Sequence, residues 1–167
     1  MRIRQLEPSD ATELFRLFRE ALTEEPLAFV ASPEDDAASS VEAVAERLKG
    51  APNTVVFGAF DPLIVGMLWF ARESRAKLAH QALISNVFVC KEFRGRGVGG
   101  KLLEAAIAHA RSLEGVEALW LGVSDKSPAA LRLYERHGFS VWGLEPDGIR
   151  ADGESAPMYY MELRLGR

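Results

Sequence analysis

The stretch FVCKEFRGRGVGGKLL, Phe88 to Leu103, packs four glycines into the six residues from Gly95 to Gly100, between an apolar run and an amphipathic one. A strand-to-helix junction of that composition suits an anion. Glycines let the backbone approach closely and take positive φ, and a helix N-terminus presents unpaired N–H groups and a positive dipole end. The spacing fits three patterns in part. Gly95, Gly97 and Gly100 fit G-x-G-x-x-G, a dinucleotide loop, and Gly95, Gly100 and Lys101 fit most of G-x-x-x-x-G-K-[ST], a P-loop. Arg94, Gly97 and Gly99 fit R-x-x-G-x-G. A glycine-rich turn with two solvated arginines is the plainest reading. The rest of the chain must choose between them.

N-terminal to the loop, MRIRQLE alternates as a strand does. Asp10 to Glu13 has capping-box spacing ahead of LFRLFREAL, in which Leu14, Leu17, Phe18 and Leu22 share one helical face. The polar ASPEDDAASS reads as a solvated loop or as a cover over a substrate. VEAVAERLKG is a short helix stopped by Gly50 and Pro52. TVVFGAF and IVGMLWFARE form a hairpin across Asp61 and Pro62, and LAHQALISNVFV is a third strand. C-terminal to the loop, GVGGKLLEAAIAHARSL places Leu102, Leu103, Ala106, Ile107 and Ala110 on a buried stripe. ALWLGV follows as a strand, so a parallel right-handed crossover is expected. Ser127 at N-cap and Pro128 at N1 open the helix SPAALRLYERHGF, which Gly138 ends. FSVWGLEP and SAPMYYMELRL close the chain as a hairpin across a long loop. With no repeat or low-complexity segment, residues 1–167 read as a single domain.

The P-loop pattern fails at Leu102, where a Ser or Thr hydroxyl must reach magnesium. The dinucleotide pattern gains from Asp125, placed near where a ribose-binding acid belongs, but that fold needs repeated βα units and this chain offers one crossover. The third pattern agrees with the whole element order, β-α-α-β-β-β-α-β-α-β-β. That order, together with VFVCKEFRGRGVGGKLL and SPAALRLYERHGF, resembles the GNAT family, the Gcn5-related N-acetyltransferases, over nearly the whole chain. The first segment is similar to the family's central motif: a strand ending in an apolar residue, any residue and Val, then R-G-x-G-x-G, then a helix. The second is similar to N-x-x-A-x-x-L-Y-x-x-x-G-F, matched at Ala130, Leu133, Tyr134, Gly138 and Phe139. Ser127 stands where the family commonly has Asn; it is shorter and lacks the amide.

The resemblance implies an α/β (α+β) GNAT fold, a mixed, mostly antiparallel twisted sheet of about seven strands flanked by about four helices. It implies an N-acetyltransferase that moves an acetyl group from acetyl-CoA to a primary amine by direct attack. The coenzyme contacts it implies are the backbone of Phe88 and Val89, by strand augmentation, then Arg94, Gly95, Arg96, Gly97, Val98, Gly99, Gly100, Ser127 and Tyr134. The Val89 N–H would also meet the developing oxyanion. Tyr134 is the candidate general acid, since a phenol of pKa about 10 protonates a thiolate whose thiol has pKa about 8.5 only modestly uphill. It shares a helical stripe with Ala130, Leu133 and His137, so packing also explains it. ALISNVFV holds no carboxylate. His80, at the start of that strand, is the candidate base, Ser85 and Asn86 can hold a water, and Glu24 and Glu25 fall where family members contact substrate. The acceptor is a small-molecule or peptide amine of illegible identity. Two other classes stay open: an NAD(P)-binding oxidoreductase, and a non-catalytic acyl-CoA-binding module, against which Tyr134 argues and for which the missing base argues.

Twenty Lys and Arg against 24 Asp and Glu give a net charge of -4, and no basic tract appears, which argues against a nucleic-acid surface. One cysteine, Cys90, precludes an internal disulfide, fits a reducing cytoplasmic compartment, and reads as a small apolar residue at a strand end. Three scattered histidines and that cysteine make no metal cluster. No apolar signal region follows the N-terminal charges and no run approaches a membrane span. Edge strands invite pairing, which makes a homodimer a candidate.

Overall fold

The computed structural model describes residues 1–35, 39–50 and 53–166. Strand β1 (Arg2–Gln5) pairs antiparallel with β2 (Thr54–Phe60), β2 with β3 (Ile64–Arg72), and β3 with β4 (Gln81–Val89). β4 pairs parallel with β5 (Ala118–Ser124), which pairs antiparallel with β7 (Glu154–Arg164), and β7 pairs with β6 (Ser140–Ala151). The result is one seven-stranded sheet of order β1-β2-β3-β4-β5-β7-β6. Helix α3 (Val98–Ser112) makes the expected crossover between the parallel pair.

Consecutive residues of a strand face opposite sides of the sheet, and Trp69 and Phe70 show what covers each side. The Phe18 ring of α1 (Ala11–Glu24) lies 5.6 Å from Trp69, so α1 covers one face, burying Leu14, Leu17, Phe18, Ala21 and Leu22. His109 of α3 lies 5.0 Å from the Phe70 ring, so α3 covers the other, burying Leu102, Leu103, Ala106, Ile107 and Ala110. Each fully buried Leu, Ile or Phe contributes about 1.5–3 kcal/mol of transfer free energy. α2 (Val41–Leu48) is capped by Ser40, whose hydroxyl accepts from the Ala43 N–H at 3.1 Å, and α4 (Pro128–Arg136) follows β5.

Three local expectations change. Asp10 does not cap α1 with its side chain. Its carboxylate accepts from the Arg4 guanidinium at 2.6 and 2.7 Å and from the Glu7 N–H at 2.8 Å, closing a capping box over the short turn Pro8–Asp10 and tying it to β1. Glu13 reaches instead to the Ile64 N–H, 3.0 Å away. Ser127 occupies the N-cap of α4 without a side-chain bond, although Pro128 does take N1. The long loop before β7 is strand: Pro146 to Gly148 form a bulge within β6, and the connection is the pair Asp152 and Gly153. Both have positive φ, +52° and +79°, as a two-residue hairpin turn requires. The helix stop at Pro52 and the centre of the acidic loop, 36–38, lie outside the described residues.

Candidate active site

β4 and β5 hold together over only three pairs, Gln81 with Ala118, Ala82 with Leu119 and Leu83 with Trp120. Beyond them Ile84–Val89 stays on β3 and Leu121–Ser124 stays on β7, and a wedge opens between the two lips. The cause lies in β4. Met67 pairs with Phe88 and Trp69 with Ser85, so β4 carries one extra residue there, a bulge that bends the strand. Asn86 sits in it at φ +48°, a left-handed conformation that Asn tolerates better than other side chains. Asn is depleted in strands, and its presence inside LISNVFV was the one signal of the bulge that the sequence held.

The wedge has exposed hydrogen-bonding groups because of strand alternation. The Cys90 N–H donates to the Val65 carbonyl at 2.9 Å, which makes Phe88 with Met67 the next hydrogen-bonded pair and leaves Val89 in a non-bonded one. The N–H and C=O of Val89 therefore turn away from β3, toward the wedge. The Phe88 side chain is buried on the α1 face, its ring 6.3 Å from that of Phe29.

The glycine loop ends at the mouth of this wedge. Gly97 is the N-cap of α3 at φ +77°, with Gly95 at φ +75°, and a Cβ on either would meet nothing within 4 Å. The backbone there is open to a ligand, and the first N–H groups of α3, at Val98, Gly99 and Gly100, have no helical carbonyl to bond. Gly99 serves a different purpose. Its added Cβ would lie 3.1 Å from the Leu133 Cδ2 of α4, so its lack of a side chain lets α4 press on the first turn of α3. His137 continues that contact beside Gly100, with Nδ1 2.8 Å from the Leu133 carbonyl.

Tyr134 follows Leu133 on this same stretch of α4. It is 5% exposed, with its ring 5.9 Å from that of Phe139. Burial pushes its hydroxyl well above the ordinary phenol range. That hydroxyl has no hydrogen-bond partner among the described residues, yet it is not among the sealed polar atoms. Ser127 closes the other end of α4, its C=O accepting from Leu131 at 3.1 Å.

Phe88, expected to offer its backbone to the coenzyme, instead turns its N–H and C=O to Met67 of β3, and two more expected site residues are placed differently from expectation. His80 precedes β4 at the end opposite the wedge, with its carbonyl on the N–H groups of Glu117 and Ala118 and its Nε2 3.2 Å from the Gln81 amide. Eight strand residues at about 3.3 Å each lie between it and Val89, so His80 is not brought to the wedge. It lies instead by a cleft of about 460 Å³ lined by Gln81, Trp120, Trp142 and Tyr160 on the open face of β5, β7 and β6. Arg94 belongs to the loop, and its side chain, 39% exposed, is directed at groups of this chain. Nε donates to the Val89 carbonyl at 2.9 Å, and the terminal nitrogens bond Glu24 at 2.8 Å and Glu25 at 3.2 Å. Nothing in the sequence marked those two acids as its partners. Arg96 stays exposed, 5.3 Å from the Phe93 ring centroid. Among the described residues no group of His, Cys, Asp and Glu could hold a metal ion, and no helix is long and apolar enough to cross a membrane.

The sheet is split beyond the three β4–β5 pairs, and a glycine-capped helix stands at the mouth of the split. The chain belongs to the acetyltransferase (GNAT) family, whose profile matches residues 11–139. It is similar to the spermine/spermidine N(1)-acetyltransferase of Bacillus subtilis, 32% identical over 60 residues, which are 36% of this chain and 40% of that one. The chain spans less than half the length of the curated relatives it matches. In fold it is similar to an acetyltransferase of the GNAT family from Streptococcus pneumoniae, at TM-score 0.85 and 24% identity over 98% of this chain and 99% of that one. It is similar also to yncA from Salmonella typhimurium, solved with its cofactor acetyl-CoA, at TM-score 0.83 and 22% identity over 100% of this chain and 95% of that one.

Proposed function

We propose that this chain transfers an acetyl group from acetyl-CoA to a primary amine of a small molecule or peptide. The observation that carries the reading is the wedge opening onto the N-terminus of α3. Its two lips offer strand edges to an extended amide-bearing arm, and the free N–H groups of Val98, Gly99 and Gly100 suit a pyrophosphate, with Arg96 adding charge. The family and the acetyl-CoA held by a structure of the same fold support this donor. The nicotinamide alternative has no such support, since its fold needs repeated parallel units and β4–β5 is the parallel pair found in the sheet.

In direct attack the amine nitrogen bonds to the thioester carbon and the carbonyl electrons move to oxygen, where the Val89 N–H faces the wedge. Collapse of that oxyanion breaks the carbon–sulfur bond, and the proton lost by the nitrogen passes through water, so that the products are the amide and the coenzyme thiol. Tyr134 suits the departing sulfur. Held above its ordinary pKa it stays protonated throughout the working range, and it stabilises a thiolate by hydrogen bonding more readily than by complete proton transfer. Cys90 is a poor alternative nucleophile, because burial pushes its thiol up to about 11. Glu24 and Glu25 are held by Arg94 near Val89; the amine arrives neutral or sheds its proton through water.

The test is a melting comparison with acetyl-CoA, NAD and Mg-ATP. A ligand at 100 times its dissociation constant adds about 2.7 kcal/mol, so acetyl-CoA should raise the midpoint and the other two should not. A shift with NAD alone would remove the assignment.

A further inference from the structure

The geometry points to Arg94 as a positioning residue that anchors a strap over the acceptor side of the wedge, not as a phosphate ligand. This rests on the acetyl-transfer reading above for what the wedge holds, but not for the contacts themselves. The segment after α1 bridges the two halves of the sheet. Phe29 packs on Phe88 of β4, while Leu27 packs on the cluster Ile149, Ala156 and Met158 of β6 and β7. The strap therefore crosses from the β4 lip to β7 and β6 on the α1 face, opposite the face on which α3 carries the glycine loop. An acyl donor entering at α3 leaves that face for the amine.

One side chain fixes the start of the strap. The Arg94 guanidinium meets Glu24 and Glu25 at 2.8 and 3.2 Å, donates through Nε to the wedge-side carbonyl of Val89 at 2.9 Å, and lies 5.4 Å from the centroid of the Phe88 ring. Three donors serve three acceptors on two elements, with an aromatic ring as a fourth contact. The planar fork of arginine can do this, and a single ammonium cannot. Three of its five N–H donors are directed at these acceptors, which fixes the direction of the side chain although 39% of it stays exposed. Its consequence is to set where the strap, and hence the roof over the incoming amine, stands relative to Val89. Arg94 thereby couples the coenzyme loop to acceptor selection.

Three variants, Arg94→Gln, Arg94→Lys and the control Arg96→Gln, separate the roles. Amide exchange over residues 24–29 should quicken in Arg94→Gln without any ligand, while the acetyl-CoA dissociation constant, by titration calorimetry, stays within about threefold of the parent. With the fastest amine of a panel of spermine, spermidine, free amino acids and a short peptide, the acceptor KM should rise about tenfold, the effect of losing one charge-assisted contact, with kcat less affected. Arg94→Lys should lie between. Unchanged exchange over 24–29 would overturn the proposal. So would a tenfold loss of acetyl-CoA affinity in Arg94→Gln with acceptor KM intact, which would make Arg94 a phosphate ligand after all. If the parent fails to bind acetyl-CoA, the functional reading falls, and the exchange measurement still decides the anchor.

Discussion

At the scale of single residues, Tyr134 carries the sharpest question, because one side chain serves both packing and chemistry. Its ring belongs to the core beside Phe139, and only the hydroxyl is left without a partner among the described residues. Tyr134→Phe removes that atom alone. Stability should change by less than about 0.5 kcal/mol, since no hydrogen bond is broken. If the hydroxyl meets the departing sulfur, kcat should fall by about 10² to 10⁴ with acetyl-CoA affinity nearly unchanged. Because burial raises its pKa, Tyr134 should also impose no alkaline limb on the parent's rate below pH 10. Steady-state assays by thiol release check both. Turnover within about twofold of the parent would reduce Tyr134 to a packing residue. The sequence showed the tyrosine through its LY motif. It could not show the unpartnered hydroxyl, which depends on what the neighbouring elements leave empty.

At the scale of elements, four glycines that look alike in RGRGVGGK separate into different tasks. Gly95 and Gly97 are left-handed and open to solvent, as a ligand-facing backbone requires. Gly99 is helical and pressed by Leu133 at 3.1 Å, so it sets the approach of α4 to α3. Gly99→Val should therefore overpack the contact and cost about 1–3 kcal/mol. Shortening the partner should return part of it. In a cycle with Leu133→Ala the two changes should couple by about 1 kcal/mol or more, read from urea midpoints. Strict additivity would mean that the contact does not limit the helix spacing. The spacing of glycines was legible in the sequence; which of them faced a ligand and which faced a helix was settled by α4, an element about thirty residues further on.

At the scale of the whole molecule, the sheet is two halves joined by three β4–β5 pairs and by the strap from Glu24 to Phe29. A donor lying in the wedge would hydrogen-bond to both lips. Acetyl-CoA should then slow amide exchange at Ile84–Val89 and at Leu121–Ser124 together, with little change in β1 and β2. Exchange mass spectrometry with and without acetyl-CoA reads this, and protection of one lip alone would place the arm outside the wedge.

Local pattern determined much of this. Alternation and β-branched runs marked the strands, and the stripes Leu14, Leu17, Phe18, Leu22 and Leu102, Leu103, Ala106, Ile107, Ala110 marked the buried faces of two helices, because burial repeats with the period of each element. The glycines marked the loop because only they accept positive φ freely. What local pattern could not carry was partner choice. Asp10 has capping spacing but is claimed by Arg4. Asp147 and Gly148 fall in the expected long loop but are absorbed, with Pro146, as a bulge opposite β7. His80 falls just before β4, at the end far from Val89, and the Arg94 guanidinium meets Glu24 and Glu25. Each outcome depends on how the elements pair and pack, through contacts such as that of Arg94 with Glu25, 69 residues apart, which no local pattern carries.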